Sequence, residues 1–396
     1  MSAPGDALYL AWRYVSHRRL QTAILAASIA VVATLPLALQ VLVARSADEL
    51  MARAQATPLL VGARGSAIEL VLSALYFASD PPPTMRYAEA TRIDEMGLAR
   101  AIPLHVRFRT RGHPIVGTDL AYLDFRGLEV AEGRRMAVLG ECLVGASAAR
   151  RLGIRPGDTL VSSPETAFGL AGVYPLEMNV VGVLASSYGP DDHAVFVDVK
   201  TAWVIEGLGH GHQDLAAPEA EAAVMNREGD RITANASVRE FNRIDERNRA
   251  SFHFHGNLSD HPVTAVLAVP PDAKSRALLM GRYEGVDEPS QIVRPDHVLS
   301  ELLDTVFAVQ GYIVAAIAVA GTATAATTVL VFMLSFRLRR REFDTMAMIG
   351  GDRGTIALVQ AFEVLLVAVF ALAGVATLTA LAVRFGQPLV RLMLAV

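Results

Sequence analysis

"LSFRLRRREFDTMAMIGGDRGTIALVQAFE", from Leu334 to Glu363, is the stretch on which the fold turns. An uncharged run ends in a burst of arginines, passes a glycine pair, and becomes uncharged again with one glutamate on the way in. Working outward from it, three stretches carry no charge: Leu20 to Ala44, Thr305 to Phe336 and Val364 to Val383. At about 1.5 Å per residue each is long enough to cross roughly 30 Å of hydrocarbon. The composition agrees. With 52% hydrophobic and 19% charged residues and a mean hydropathy of +0.35, the chain is more apolar than soluble chains of this size. Residues 45–303, between the first and second runs, are charged, punctuated by proline and numerous enough to hold a core of their own.

The arginines set an orientation. Arg13, His17, Arg18 and Arg19 precede the first run, and Arg337, Arg339, Arg340, Arg341 and Arg353 lie between the second and third. Both clusters are cytoplasmic under the positive-inside rule. The sequence therefore predicts a cytoplasmic segment 1–19, a transmembrane helix 20–44, an external domain 45–303, and a second helix 305–336. A cytoplasmic loop 337–354, a third helix 355–384 and a short external tail 385–396 complete the order. A secretory signal peptide fits the first run less well: it exceeds the usual h-region of about 7–15 residues, and no small-x-small cleavage site follows "LVARSADEL". The single Cys142 excludes an intrachain disulfide, so the external domain must rely on its core.

Within that domain, "MAVLGECLVGASAARRLGIRPGDTLVS" predicts a strand at Ala137 to Leu139, a helix from Leu143 to Leu152, then a Pro-Gly-Asp turn into a strand. "LEMNVVGVLASS" and "HPVTAVLAVPP" read as strands, and "HAVFVDVKTAWVIEG" as a strand leading into a short helix from Val199. The fold class is an α-helical membrane protein with three transmembrane helices and a large α+β extracytoplasmic domain. Residues 206–262 are polar and short of apolar runs, which predicts either a surface subdomain or an excursion, without a core.

The opening stretch has the shape of something gripped. Met346, Met348 and Ile349 give an adaptable apolar face, Gly350 and Gly351 let the backbone turn, and Arg353 leads into the third span. Such a short loop has no core of its own to join. Glu363 lies near the cytoplasmic end of that span, where a carboxylate is either functional or paired with an arginine. Small residues in "AIAVAGTATAATTV" permit close helix packing, within the chain or against a second copy.

Arg340-Arg341-Glu342-Phe343, Ile349-Gly350-Gly351 and Phe362-Glu363-Val364 together resemble the MacB/FtsX-like permeases of ABC transporters, which include the lipoprotein-releasing permeases. "YLAWRYVSHRRLQTAILAASIAV" is similar to that family's N-terminal helix and first span, and "VLGECLVGASAARRLGIRPGDTL" to part of its periplasmic domain. The resemblance implies a MacB-like periplasmic domain in a bacterial inner-membrane permease. It makes Arg341, Glu342, Phe343, Met346, Ile349, Gly350, Gly351 and Arg353 the elements that dock on a separate ABC ATPase, where ATP and Mg²⁺ would bind. It further implies a second permease copy or a paralogue as partner, with a periplasmic adaptor, lipoprotein or envelope protein outside, and no nucleic acid. The family usually has a fourth span, whereas about a dozen residues follow Arg384, too few to cross; the expectation is a three-span chain ending outside.

No G-x-x-x-x-G-K-[ST] cradle occurs, and "GIRPGDT" lacks the lysine and the length, so energy is expected from a partner. "GASAA" is no nucleophile elbow, there is no H-E-x-x-H pattern or cysteine cluster, and no catalytic residue is expected. The histidines remain. His210, His212, His253 and His255 form two His-x-His pairs, with Asp214, His261 and Asp191-Asp192-His193 nearby in sequence. On strands such pairs share one face and could hold Zn²⁺; in solvated turns they bind nothing. Two functions stand: a permease that couples cytoplasmic ATP hydrolysis to movement of periplasmic domains, handling a lipoprotein, peptide or hydrophobic molecule, or a non-transporting FtsX-like permease that activates an envelope partner.

Overall fold

Short apolar runs broken by Gly, Pro and Asp lay down most of the elements between the first two long helices. The computed structural model describes residues 3–78, 80–163, 175–212, 224–228, 231–234, 241–349 and 352–393. In chain order these form α1 (Ala3–His17), α2 (Arg19–Gln55), β1 (Leu59–Ala63), α3 (Ala67–Tyr76), β2 (Met85–Arg86), α4 (Ala88–Glu95), β3 (Arg100–Thr110), β4 (His113–Thr118), α5 (Leu120–Arg126), β5 (Val130–Gly133), β6 (Glu141–Val144) and α6 (Ala146–Leu152). There follow β7 (Thr159–Val161), β8 (Glu177–Leu184), β9 (Val195–Asp198), α7 (Val199–Ile205), β10 (Gly209–Gly211), β11 (Val224–Glu228), β12 (Arg231–Ala234), β13 (Phe252–Phe254), β14 (Pro262–Val263), β15 (Ala265–Val269), α8 (Ala273–Arg282) and β16 (Ser290–Val293). Three helices close the chain: α9 (Pro295–Leu338), α10 (Arg340–Met348) and α11 (Arg353–Met393). Two units result, Met51–Leu302 and the flanking Met1–Leu50 with Leu303–Val396.

The first unit is built on a mixed sheet in the order β16-β1-β15-β3-β4-β9-β6-β8-β5, with β7 paired to β8. The pairs β4–β9 and β6–β8 are parallel and the others antiparallel. Side chains alternate across the sheet. Leu60, Leu267 and Phe196 join α3 and α5 residues such as Leu70, Leu75 and Tyr122. Their neighbours Leu59, Val61 and Val266 pack with Ile93, Trp203 and Leu279 of α4, α7 and α8. Helices on both faces explain why the strands read as continuous apolar runs. Capping follows the sequence: Ser66, Asp119, Asp198 and Asp272 accept backbone N–H bonds from Glu69, Tyr122, Lys200 and Ser275 at the starts of α3, α5, α7 and α8. The end of α2 and the start of α9 belong to this unit, since Met51, Ala54 and Leu299 lie in its core.

Two local expectations change. The strand expected at Ala137 to Leu139 lies instead at β6, and the helix starts at Ala146. The reason is the Glu141 carboxylate, which takes the N–H groups of Ala137 and Val138 (2.8 and 3.3 Å) and curls those residues into a turn. A short apolar run such as "CLV" does not distinguish strand from helix by its periodicity. Residues 206–262, expected to lack a core, contribute buried Ile244 and the packed side chains of Leu208, Phe252 and Phe254. The period-two aromatics place both rings on one face, which the polar average of the segment hides.

Three helices are long and apolar enough to cross a membrane, Arg19–Gln55, Pro295–Leu338 and Arg353–Arg384, and the second unit holds most of their length. The last continues to Met393, so residues 385–393, read as a tail, prolong helix α11. Packing uses small residues. A Cβ on Gly374 would come within 2.9 Å of the Ala30 Cβ, so its absence lets α2 and α11 approach. Ala26 packs with Val367 and Ala371 in the same seam. Helix α1 lays Ala7 and Ala11 against Val359 of α11.

Candidate functional site

Helix α9 stops at Leu338, and Arg339 turns the chain into α10 with φ −92° and ψ 6°. This arginine is 5% exposed. Its Nη1 donates to both oxygens of buried Glu363 (2.8 and 2.9 Å), and its Nε donates to Glu342 (3.1 Å). The guanidinium carbon lies 3.6 Å from the centroid of the Tyr14 ring and 4.9 Å from that of Phe343. One side chain thus joins α1, α9, α10 and α11. A buried charge persists only when paired, and here the pairing combines a carboxylate with a cation–π contact. Of the two readings of Glu363, the arginine pair is the one formed.

The other side of α10 faces outward. Met348 and Ile349 are 80% and 81% exposed. Arg341, Glu342 and Arg353 are exposed and Met346 is half-buried. Phe343 turns inward beside Arg339, so it offers no surface to a partner. Gly350 and Gly351 lie outside the described residues. Beyond them Asp352 accepts the Gly354 N–H (3.0 Å) and starts α11. Met348 and Ile349 thus stand as two exposed apolar side chains at the end of a short helix that is anchored from behind through Arg339.

Sequence reasoning missed Arg339, Tyr14 and the prominence of Met348 over Met346. Tyr14 carries a signal, since it follows Ala7 and Ala11 at helical spacing on the packed face of α1. Arg339 is one of four arginines in "RLRRR", and choosing it requires knowing where α9 breaks.

In the domain unit His210 and His253 face each other on paired strands β10 and β13, and His212 and His255, one residue beyond the strand ends, bring their rings to the same cluster. His261 is apart from them, buried with its ring 4.8 Å from that of Trp203. Asp191 and Asp192 serve elsewhere: Asp191 binds Arg53 and Tyr122, and Asp192 accepts bonds from Ser186 to Tyr188. The main chain of His193 accepts from His113. Asp214 lies outside the described residues. Cys142 is wholly buried, which pushes its thiol up and away from reactivity.

Three helices long and apolar enough to cross a membrane, with a helix-covered mixed sheet between the first two in sequence, define the class: an α-helical membrane protein with a large α+β domain. Residues 22–240 match the model of the MacB-like periplasmic core domain, and the chain belongs to the MacB/FtsX-like permease family of ABC-type transporters. Among solved structures it is similar to the periplasmic region of MacB from Actinobacillus actinomycetemcomitans, at 10% identity over 63% of this chain and 94% of that one, with a TM-score of 0.34. It is also similar to the extracellular domain of the noncanonic ABC-type transporter YknZ from Gram-positive bacteria, at 13% identity over 59% of this chain and 98% of that one, with a TM-score of 0.32. No curated protein matches.

Proposed function

We propose that the chain is the permease subunit of an ATP-driven machine in a bacterial inner membrane, with its sheet domain in the periplasm and α10 docked on a separate ABC ATPase. The observation that carries this reading is the exposure of Met348 and Ile349 on a helix whose opposite side is anchored through Arg339. An apolar cleft with an acidic rim on the ATPase would bury both side chains and pair with Arg341 and Arg353. Displacement of α10 would then be felt by the helices that Arg339 joins. Helices α2 and α9 continue without a break into residues packed in the domain core, which gives the movement a path outward. A second copy or a paralogue completes the bundle. The cargo would be a lipoprotein, peptide or hydrophobic molecule.

The test is Met348→Asp with Ile349→Asp, co-expressed with the ATPase. Burying unpaired carboxylates costs several kcal/mol, so co-elution should be lost or stimulated ATP turnover should fall at least about tenfold, with Trp203 fluorescence unchanged. Wild-type values for both would overturn the docking role. For orientation, a reporter active only outside the cytoplasm should work when fused after Asp272 and be silent after Arg341; the reverse pattern would overturn the proposed topology.

A further inference from the structure

We propose that His210, His212, His253 and His255 form a binding site for a divalent transition-metal ion of the Zn²⁺ class. In "GHGH" (209–212) and "FHFH" (252–255) the first three residues of each pair antiparallel, with Gly209 opposite Phe254, His210 opposite His253, and Gly211 opposite Phe252. Alternation therefore puts His210 and His253 on one face of the ribbon and the glycines and phenylalanines on the other, and the rings of His212 and His255, just past the strand ends, lie against the same face. The second face fixes the register. A Cβ on Gly209 or Gly211 would come within 2.6 or 2.5 Å of the Phe254 or Phe252 ring, so only glycine leaves room for these rings. They pack inward on the core, with Phe254 6.3 Å from Trp203. A slip by one residue would turn the phenylalanines out and the histidines in.

On the histidine face, one potential ligand atom from each of His210, His212 and His253 lies within 4.8 Å of the others. The His255 ring is 4.8 Å from His210 and 5.1 Å from His253. Tetrahedral nitrogen ligands about 2.0–2.1 Å from Zn²⁺ stand roughly 3.4 Å apart, a gap that side-chain rotation closes without moving the strands. The tautomer of one ligand is already set. Nδ1 of His253 lies 3.1 Å from the Ser251 carbonyl oxygen, which only accepts, so Nδ1 carries the proton and Nε2 is left to bind metal. The backbone of His255 is held by its N–H bond to the Leu208 carbonyl (3.2 Å). An all-imidazole donor set selects Zn²⁺, Ni²⁺ or Cu²⁺ over Mg²⁺ and Ca²⁺, which require oxygen. His210 and His212 are half-buried and His253 and His255 exposed, so an ion has access. Bound there, it would clip together the two ends of the chain between His212 and Phe252.

The test uses the full chain in detergent, purified without a histidine tag and stripped with chelator, then titrated calorimetrically with Zn²⁺. One ion per chain at micromolar or tighter affinity is expected, and Co²⁺ should give the intense visible bands of a four-coordinate site. His212→Ala with His253→Ala should weaken Zn²⁺ binding at least a hundredfold, whereas His297→Ala, an exposed histidine elsewhere in the domain unit, should leave it unchanged. Absence of stoichiometric binding to the wild-type chain overturns the proposal without reference to any variant. So does a double variant that keeps wild-type affinity. Circular dichroism, and Trp203 fluorescence in a Trp12→Phe background, verify that the double variant is folded; should it not be, His253→Asn with His255→Asn, at the two exposed positions, gives the same reading.

Discussion

Arg53, largely buried in the domain unit, and Arg339, buried in the helical unit, are both held by a carboxylate and a tyrosine, yet the tyrosines contribute in different ways. Arg53 grips Asp191 with two nitrogens (2.6 and 3.0 Å) and donates to the Tyr122 hydroxyl (2.9 Å), which in turn donates to Asp191 (2.8 Å). These three contacts are directed hydrogen bonds, and the ring that Arg53 also faces, Phe77, lies farther off, 5.7 Å from the guanidinium carbon to the centroid. Arg339 binds Glu363 through one nitrogen and rests on the face of Tyr14 at 3.6 Å. Its second partner is a quadrupole, which is broad in direction and does not depend on the hydroxyl. A closed hydrogen-bond triangle tolerates little displacement, whereas a ring face allows a cation to slide. The first arrangement fixes Arg53 in direction, and the second holds Arg339 more loosely.

The largest expected effect is from Asp191→Asn. It leaves Arg53 buried without a counter-charge, and breaking such a pair costs about 3–5 kcal/mol. Domain melting, followed by Trp203 fluorescence in a Trp12→Phe background, should drop accordingly. Glu363→Gln should cost less, about 1–3 kcal/mol, because Arg339 keeps Tyr14 and Glu342; thermal stability of the full chain in detergent reads it. Equal losses at the two sites would break the contrast drawn here.

Phenylalanine at each tyrosine separates the two modes more sharply. Tyr122→Phe removes a buried hydroxyl that both accepts and donates, and should cost the domain about 1–3 kcal/mol. Tyr14→Phe keeps the ring beneath Arg339 and loses a hydroxyl contact of 3.5 Å with Ser335, so its cost should fall below about 0.5 kcal/mol, while Tyr14→Leu should cost about 1–2 kcal/mol. A costly Tyr14→Phe would show that the hydroxyl, and not the face, holds the junction.

The two arginines also mark the limit of what the sequence reveals. The uncharged runs and the flanking arginines make the long helices legible, because the hydrophobic requirement of a span is collective and survives any local ambiguity. The ribbon of histidines is legible too, since a period-two pattern needs no tertiary knowledge to place residues on one face. Arg53 in "ELMARAQ" and Arg339 in "RLRRR" have no such pattern. Their partners Asp191 and Glu363 are distant in sequence, and burial is decided by packing that no local spacing records. The same holds for Met346 and Met348: which methionine faces out depends on where Arg339 breaks the helix.

A pH-dependent effect concerns Asp192, the neighbour of Asp191, which shares its turn and is held by neutral donors. Burial alone would push its carboxyl up, yet bonds from Ser186 Oγ (2.5 Å), Ser187 N–H and Oγ (2.7 and 2.8 Å) and Tyr188 N–H (3.2 Å) outweigh it and hold the group below the usual carboxylate range. A pKa depressed in the folded state gives stability that is present above the unfolded value, about 3.9, and is lost as pH falls through the lower folded value. Glu141, depressed likewise although burial opposes it, because Arg134 and the Ala137 and Val138 N–H groups bind its carboxylate, acts in the same window. Domain melting should therefore decline as pH is lowered from about 5 toward 3, and Asp192→Asn should make that decline shallower by at most one proton's share, about 1.4 kcal/mol per pH unit. If the slope is the same in wild type and variant, neutral donors do not hold this carboxylate as they should, and the arginine at Asp191 would be the only electrostatic tie in the turn.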